Sequence, residues 1–357
     1  MKNQKIVFTG GGSAGHVTPN LAIMEALSVD WDLHYIGSLS GIEKEIIENS
    51  QIPYYGISSG KLRRYLSKEN MLDVARVVKG IWQARSLLKQ LKPKLVFSKG
   101  GFVTVPVVLA AKSLCIPVFL HESDMTPGLA NRIAMRFSDK IFTSFEEAAD
   151  HFPKKKTMVV GSPIRKALFQ GNPSKGKAYL HFNKYLPILT IMGGSLGAKK
   201  VNEAVRSLLP DLTKYFQIVH ICGKNQTDSK YARLAGYQQF EYISGELADI
   251  LSTTDMVLTR GGSNAIFEFL SLRIPMLIIP LPKSQSRGDQ ILNAISFREK
   301  GYALMLEEEM LTSDVLFQQL IALQKQSEQM VDVMRDSIAS EAVKIIVEAI
   351  EETKKGY

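Results

Sequence analysis

Short apolar runs bounded by turn residues alternate along this chain with segments whose apolar positions recur every three or four residues. The runs lie at 6–8, 33–36, 95–97, 118–120 and 140–143, and segments with helical spacing at 21–27, 42–47, 71–91 and 105–114. Such alternation predicts βαβ units, hence a parallel sheet with helices on both faces. The pattern pauses at His151-Phe-Pro-Lys-Lys-Lys-Thr157 and at the turn Gly161-Ser-Pro-Ile-Arg165. It then restarts, with strands expected at 188–192, 217–221, 241–243, 256–259 and 276–279 and helices at 200–209, 247–252, 265–272 and 290–300. The predicted fold is α/β, two doubly wound halves with a boundary near 161–170: residues 1–163, then 164–335. Apolar positions at Val333, Ile338, Ala342, Ile345, Ile346, Ala349 and Ile350 predict one amphipathic helix over 333–350, closing the chain (336–357) by packing back across the domains.

Composition narrows the class. A length of 357 residues favours two domains, and 45% hydrophobic with 22% charged residues is that of a globular chain. The net charge of +9 favours an acidic partner, be it nucleic acid, anionic lipid or a phosphorylated substrate. Cys115 and Cys222 lie in apolar stretches without Cys or His at metal-ligand spacing, and read as reduced core residues of a cytosolic chain. No apolar run approaches spanning length, so a membrane would be met from its surface.

Three glycine clusters each follow an expected strand: Gly10-Gly-Gly-Ser-Ala-Gly-His16, Ser98-Lys-Gly-Gly-Phe-Val103 and Met192-Gly-Gly-Ser-Leu-Gly-Ala-Lys199. A fourth turn, Arg260-Gly-Gly-Ser-Asn-Ala-Ile-Phe-Glu268, runs from a strand into a helix, with Arg287-Gly-Asp-Gln290 beyond it. Glycine lets backbone approach a ligand, and a following helix turns N–H groups and a positive dipole end toward an anion. Glu268, one turn into its helix, suits a pair of neighbouring hydroxyls, so this half reads as the nucleotide side of a sugar-nucleotide site. Gly10 to Gly15 also fits the dinucleotide pattern G-x-G-x-x-G, but the next strand ends in Gly37-Ser-Leu-Ser40 without a ribose-binding carboxylate. His16 ends the first glycine turn and is the first choice to take a proton from an attacking hydroxyl. Glu122 and Asp124, in His121-Glu-Ser-Asp124 after a strand, are alternative bases or orienting groups, and the three stay open. Arg165 suits a phosphate, and Ser195 offers a hydroxyl and an N–H to a diphosphate. Asp30-Trp-Asp32 resembles a metal-holding pair but precedes its strand, at the wrong end of the sheet, so no metal site is assigned.

Residues 61–92 raise the membrane question. Lys61-Leu-Arg-Arg-Tyr-Leu66 leads into a helix with Met71, Val74, Ala75, Val78, Ile81 and Trp82 at helical spacing, interleaved with Arg76, Lys79, Arg85, Lys89 and Lys92. That mixture fits an interfacial surface on anionic lipid as well as a core-facing helix with a basic outer side. Nucleic acid would call for aromatics spaced along a basic groove, which the chain lacks.

Together, 10–21, 60–65, 98–106, 121–132, 193–202 and 260–293 closely resemble the MurG family of bacterial peptidoglycan N-acetylglucosaminyltransferases, over nearly the whole chain. The resemblance implies a GT-B fold, two Rossmann-like domains facing a cleft. It implies an inverting hexosyltransferase, without cofactor or metal, that moves GlcNAc from UDP-GlcNAc to the muramyl 4-hydroxyl of lipid I (undecaprenyl-diphospho-muramyl pentapeptide). The product would be lipid II, made at the cytoplasmic face of the cell membrane by a peripheral protein on the anionic inner surface. Cell-wall and division proteins would be further partners. Competing readings of the same fold are a UDP-GlcNAc 2-epimerase or a glycolipid synthase. By matching positions, Ser13, Ala14 and Gly15 would face the donor sugar and diphosphate, with Arg165 and Ser195 on the diphosphate. Ile243 would read uracil through its backbone. Ser263, Asn264, Ala265, Ile266, Phe267 and Glu268 would form the nucleotide loop and helix, and Gln290 would contact the sugar. Phe102, Asp124 and Asp289 depart from some relatives, which touches the acceptor side more than the donor side.

Overall fold

The computed structural model describes residues 4–60, 68–182, 185–194, 197–337 and 341–355. The chain divides into a first unit, residues 1–165 with 340–357, and a second, residues 166–339.

In the first unit, β1 (Gln4–Thr9), β2 (Trp31–Ser38), β3 (Tyr54–Ile57), β4 (Leu95–Ser98), β5 (Val118–Glu122), β6 (Lys140–Thr143) and β7 (Thr157–Val159) form one sheet in the order β3-β2-β1-β4-β5-β6-β7. Every pairing is parallel. Side chains alternate across a strand, and β1 shows the consequence. Ile6 and Phe8 join Phe97, Phe119 and Phe142 on one face, whereas Val7 joins Val96, Val118 and Ile141 on the other. The first face is covered by α1 (Thr18–Ala26) and α2 (Ile42–Asn49), which bury Ile23 and Ile47 there. The second face is covered by α3 (Lys68–Leu91) and α4 (Thr104–Lys112), through Ala84, Leu88, Val107 and Ala111. The short helices α5 (Leu129–Ala134) and α6 (Glu146–Ala149) complete the connections.

The second unit opens with α7 (Pro173–Leu180), whose start is capped by the Asn172 side chain accepting from the N–H groups of Ser174 and Lys175. Its strands are β8 (Ile188–Met192), β9 (Gln217–Ile221), β10 (Tyr237–Phe240), β11 (Met256–Thr259), β12 (Met276–Ile278) and β13 (Ala303–Met305), in the order β10-β9-β8-β11-β12-β13. They alternate with α8 (Lys199–Leu212), α9 (Leu247–Leu251), α10 (Ser263–Ser271) and α11 (Asp289–Glu299), and α12 (Ser313–Arg335) follows. Both sheets are doubly wound. Strand order reverses between β1 and β4 in one and between β8 and β11 in the other, and each reversal is a topological switch point.

Three expectations are corrected. The strand at 241–243 is instead β10, four residues earlier, because an edge strand needs burial on fewer sides and tolerates Gln238 and Gln239. The single helix over 333–350 is two helices, α12 ending at Arg335 and α13 (Ala342–Glu352). Asp336 and Ser337, which favour caps over helix interiors, stand at the break, and the two apolar stripes serve different units. Cys115 is exposed, because it occupies a left-handed turn (φ +55°) just beyond α4; Cys222 is buried.

The closing helix α13 packs on the first unit. Ala342, Ile346, Ala349 and Ile350 join the cluster of Ile6, Phe8 and Trp31, and the Glu351 carboxylate accepts from Trp31 Nε1 and Ser28 Oγ, each at 3.0 Å. Ile346 is fully buried. Ile346→Ala should destabilise the first unit by about 2–4 kcal/mol, read as a lower urea midpoint for that unit with the second unit's midpoint unchanged.

Candidate functional site

In both sheets the glycine turns of the sequence sit at the carboxyl ends of the two strands that flank the switch point. The first unit joins its pair through backbone. Lys99 N–H donates to Thr9 O (2.9 Å), and Gly11 N–H donates to Gly100 O (3.3 Å). Gly101 lies so close that a Cβ there would fall 2.2 Å from the Gly11 carbonyl oxygen, and its φ is +91°. Only glycine meets both conditions.

The first turn is held from beneath by buried polar side chains. Tyr35 Oη donates to Gly10 O (2.9 Å), and Asn20 Nδ2 donates to Thr9 O (3.3 Å) and His16 O (3.4 Å). Glu43, fully buried, accepts from Gly12 N–H (3.3 Å) and from the N–H and hydroxyl of Ser38. Above this support Ser13 is exposed, and Ala14, Gly15 and His16, in one short 3-10 turn, are half-buried. His16 Nδ1 lies 2.9 Å from Gly11 O and 3.1 Å from Ser13 Oγ. A carbonyl oxygen only accepts, so that hydrogen bond places the proton on Nδ1 and the lone pair of the neutral ring on Nε2.

At the carboxyl end of β5, Glu122 is buried and accepts three hydrogen bonds: from Asp124 N–H (3.0 Å), Gly128 N–H (3.3 Å) and Asn131 Nδ2 (2.8 Å). Burial, reinforced by the Asp124 charge, pushes its carboxyl up to about 7. Asp124 is half-buried. Lys99 is almost fully buried, its Nζ donating to Ser123 Oγ. Burial brings its ammonium down to about 8 against the opposing pull of Glu122 and Asp124. His121 is buried and neutral, held well below its ordinary value by burial and by Lys99, with Nε2–H donating to Gly161 O (3.0 Å).

In the second unit the third glycine turn leaves β8, and Gly197 N–H donates to Gly194 O (2.9 Å); Ser195 lies outside the described residues. A buried chain of hydrogen bonds supports the turn. Tyr237 Oη donates to His220 Nδ1 (3.0 Å), and His220 Nε2–H donates to Asn202 Oδ1 (2.9 Å). Asn202 Nδ2 in turn donates to Cys222 O (2.9 Å) and Gln226 Oε1 (2.8 Å), against which Gly197 packs.

The fourth turn follows β11, joined to the third by Thr259 Oγ1 donating to Met192 O (3.1 Å). Arg260 is turned into the protein: it pairs with buried Glu308 (2.5 Å) and donates to Ile279 O (3.1 Å). A Cβ on Gly261 would fall 2.4 Å from Gln290 O, so α10 and α11 start side by side. Ser263, Asn264 and Ala265 open α10, Ile266 and Phe267 send their side chains into the core, and Glu268 is half-buried one turn in. Gln290 Oε1 accepts from Leu281 N–H (3.1 Å), leaving Nε2 as the end with donors to offer. Ile243 follows β10, its side chain in the core with Ile188, Val219 and Ile250, so only its backbone can meet a ligand. Arg165 is half-buried, and its Nε is enclosed with no hydrogen-bond partner among the described residues.

The structure thus brings Ser13 to His16 together at one sheet end with Glu122 and Asp124 nearby on the same end, and Ser263 to Glu268 together with Gln290 on the other sheet. It sets Asp32 at the amino end of β2, beside Lys5 (3.8 Å) and His34 (3.2 Å). Sequence reasoning missed Asn20, Tyr35, Glu43, Lys99, Asn202 and His220. Only Lys99 carried a signal, a lysine inside a glycine turn whose flanks are apolar.

Residues 6–143 match the glycosyltransferase family 28 N-terminal domain and residues 188–349 the family's C-terminal domain. A Bacillus cereus protein named UDP-N-acetylglucosamine–N-acetylmuramyl-(pentapeptide) pyrophosphoryl-undecaprenol N-acetylglucosamine transferase 2 is 56% identical over 350 residues, 98% of this chain and 99% of its own. A Shouchella clausii transferase of the same name, without the numeral, is 55% identical with the same coverage. Among solved structures, Acinetobacter baumannii MurG aligns with a TM-score of 0.77 at 24% identity, covering 98% of this chain and 99% of its own. A Neisseria meningitidis UDP-GlcNAc 2-epimerase bound to UDP-GlcNAc aligns with a TM-score of 0.67 at 16% identity, covering 98% and 100%. At those two identities the likeness speaks to fold.

Burial takes the His220 imidazole down to about 3 from its ordinary 6.5, and the Arg206 charge adds to the effect. The unfolded chain therefore takes up this proton first as pH falls. The stability tied to neutral His220 is complete above the unfolded value and is lost toward the folded one, at about 1.4 kcal/mol per pH unit. His220→Gln should remove that component, so urea unfolding of the second unit, followed from pH 6.5 down to 4, should lose stability less steeply than the parent by about that slope.

Proposed function

The chain belongs to glycosyltransferase family 28, and on that footing we propose that it is the inverting hexosyltransferase that moves GlcNAc from UDP-GlcNAc to the muramyl 4-hydroxyl of lipid I, giving lipid II for peptidoglycan synthesis. The observation that carries this reading is the match of almost the whole chain to curated transferases of that name. The glycine turns at both switch points agree with it.

On this reading the second unit takes the nucleotide. Backbone N–H groups at the start of α10 and the positive end of its dipole receive a phosphate, Glu268 takes the ribose hydroxyls, and the backbone at Ile243 reads the base. Gln290 offers Nε2 to the sugar. Arg165 meets the diphosphate with its guanidinium. Ser195 keeps its diphosphate role on sequence grounds alone. The first unit takes the acceptor, with Ser13, Ala14 and Gly15 toward the transferred sugar. The acceptor oxygen attacks the anomeric carbon, the bond to the β-phosphate oxygen breaks, and the hydroxyl proton passes to His16 Nε2. Preorganised N–H groups and Arg165 stabilise the charge gathering on UDP. Glu122, buried with both oxygens taken by donors, holds its loop, and the half-buried Asp124 orients the acceptor.

The place of work on this reading is the anionic inner face of the cell membrane. No described helix is long and apolar enough to cross a membrane. Val74, Val78 and Trp82 stand exposed along one line of α3, among Arg76, Lys79 and Arg85. An apolar line with basic flanks suits shallow insertion into anionic lipid. Residues 61–67, the basic approach to this helix, lie outside the described residues.

UDP release from UDP-GlcNAc should depend on a lipid I analogue; formation of UDP-ManNAc without acceptor would overturn transfer in favour of epimerisation. His16→Ala should lower kcat by about 10²–10⁴-fold with the donor KM little changed. Near-normal turnover in that variant, with activity abolished in Glu122→Gln, would move the base to Glu122. In sedimentation with phosphatidylglycerol vesicles, Trp82→Ala together with Val78→Asp should weaken binding about tenfold. Unchanged sedimentation would remove α3 from the membrane surface.

A further inference from the structure

Among the described residues Lys99 is the one lysine whose side chain is almost wholly buried, and it stands at the first unit's switch point. Its backbone N–H donates to Thr9 O at the root of the first glycine turn, and its neighbour Gly100 accepts from Gly11 N–H. Its ammonium reaches the other way, past the end of β4, to Ser123 Oγ beyond the end of β5. Three segments that leave the same sheet end are therefore tied at one residue: the turn that carries His16, the glycine turn that carries Lys99 itself, and residues 123–128. The groups acting on the ammonium are the carboxylates of Glu122 and Asp124, and it acts in turn on His121. Removing a lysine charge from water is costly, and a methionine would fill the same space without that cost. Packing therefore gives no reason for the ammonium. Its direction does.

We propose that Lys99 is a positioning residue of the acceptor half, holding Ser123, and through it Asp124 and the rest of 123–128, in register with the glycine turn that carries His16. The proposal rests on the acceptor role given above to the first unit. Lys99 is too buried to touch substrate and acts through the segment it anchors. Glu122 completes the anchor, since its carboxylate gathers the N–H groups of Asp124 and Gly128 from within the same segment. An acceptor hydroxyl held by Asp124 and deprotonated by His16 needs those two groups at a fixed separation, and a displacement near 1 Å costs about 10²-fold in rate.

The experiment compares Lys99→Met, Ser123→Ala and the double variant, all in the full chain. Steady-state assays with UDP-GlcNAc and a lipid I analogue should show acceptor kcat/KM down about tenfold or more in Lys99→Met and donor KM within about twofold. The double variant should be no worse than Lys99→Met alone, because both changes remove one contact. Hydrogen exchange followed by mass spectrometry should show faster exchange over 123–128 and unchanged exchange over α10. Ser123→Ala deletes a single oxygen and keeps the contact testable should Lys99→Met fold poorly. Unchanged exchange over 123–128 in both single variants, or a donor KM that rises as much as the acceptor's, would overturn the proposal. Exchange needs no turnover, so a parent protein that fails to release UDP with acceptor would count against the transferase reading while the exchange comparison still decides for or against the anchor.

Discussion

At the switch point of the first sheet, backbone meets backbone. The Gly101 α-carbon lies against the Gly11 carbonyl so closely that one added carbon would sit 2.2 Å from the oxygen. The N–H of Gly11 is spent on Gly100, and that of Lys99 on Thr9. The second sheet repeats the theme with different parts, Gly261 against the Gln290 carbonyl and Thr259 Oγ1 on Met192 O. Everything proposed for these turns depends on that closeness. N–H groups can face a diphosphate in concert only if the turns that carry them are locked to one another, and side chains between them would force the turns apart.

Such tight turns need support from below, and both units supply it with buried polar groups. Tyr35, Asn20 and Glu43 carry the first turn, the Tyr237–His220–Asn202 chain carries the third, and Arg260 with Glu308 fixes the connections around the fourth. Each is costly to bury, and each is held by partners whose geometry is thereby set. The burial that pushes the Glu122 carboxyl up and brings the Lys99 ammonium down leaves both side chains almost without exposure. Perturbed groups at a sheet end are commonly taken as the chemical ones. On the proposed reading they frame it, and the half-buried His16 and Asp124 meet the acceptor.

Arg260 and Glu43 mark where reading the chain by motif goes astray. Arg260 heads the turn that looks most like an anion site, yet its guanidinium faces inward to Glu308 and backbone carbonyls. A carboxylate does stand just past the second strand, where a dinucleotide fold would want one, but Glu43 is fully buried and spent on Gly12 and Ser38. Neither fact was legible, because a motif names residues and not the direction of their side chains. The turns themselves were legible, since glycine after an apolar run and before a helix leaves few alternatives.

The same division runs through the fold. Every interior strand was readable as an apolar run, because a strand covered on both faces must be apolar throughout. The edge strands β3, β7 and β13 were not, and β10 was misplaced, because an edge has one neighbour and partial cover, so Gly56, Gln238 and Gln239 are admissible there. The sequence by itself determined the βαβ alternation, the two doubly wound halves and the glycine turns, all of which follow from local periodicity and backbone freedom. Only the tertiary structure decided which strands lie side by side, that the last helix returns to the first unit, and that Lys99, Glu43 and Arg260 turn inward while His16 does not. Those outcomes depend on partners tens to hundreds of residues away, and no local pattern records them.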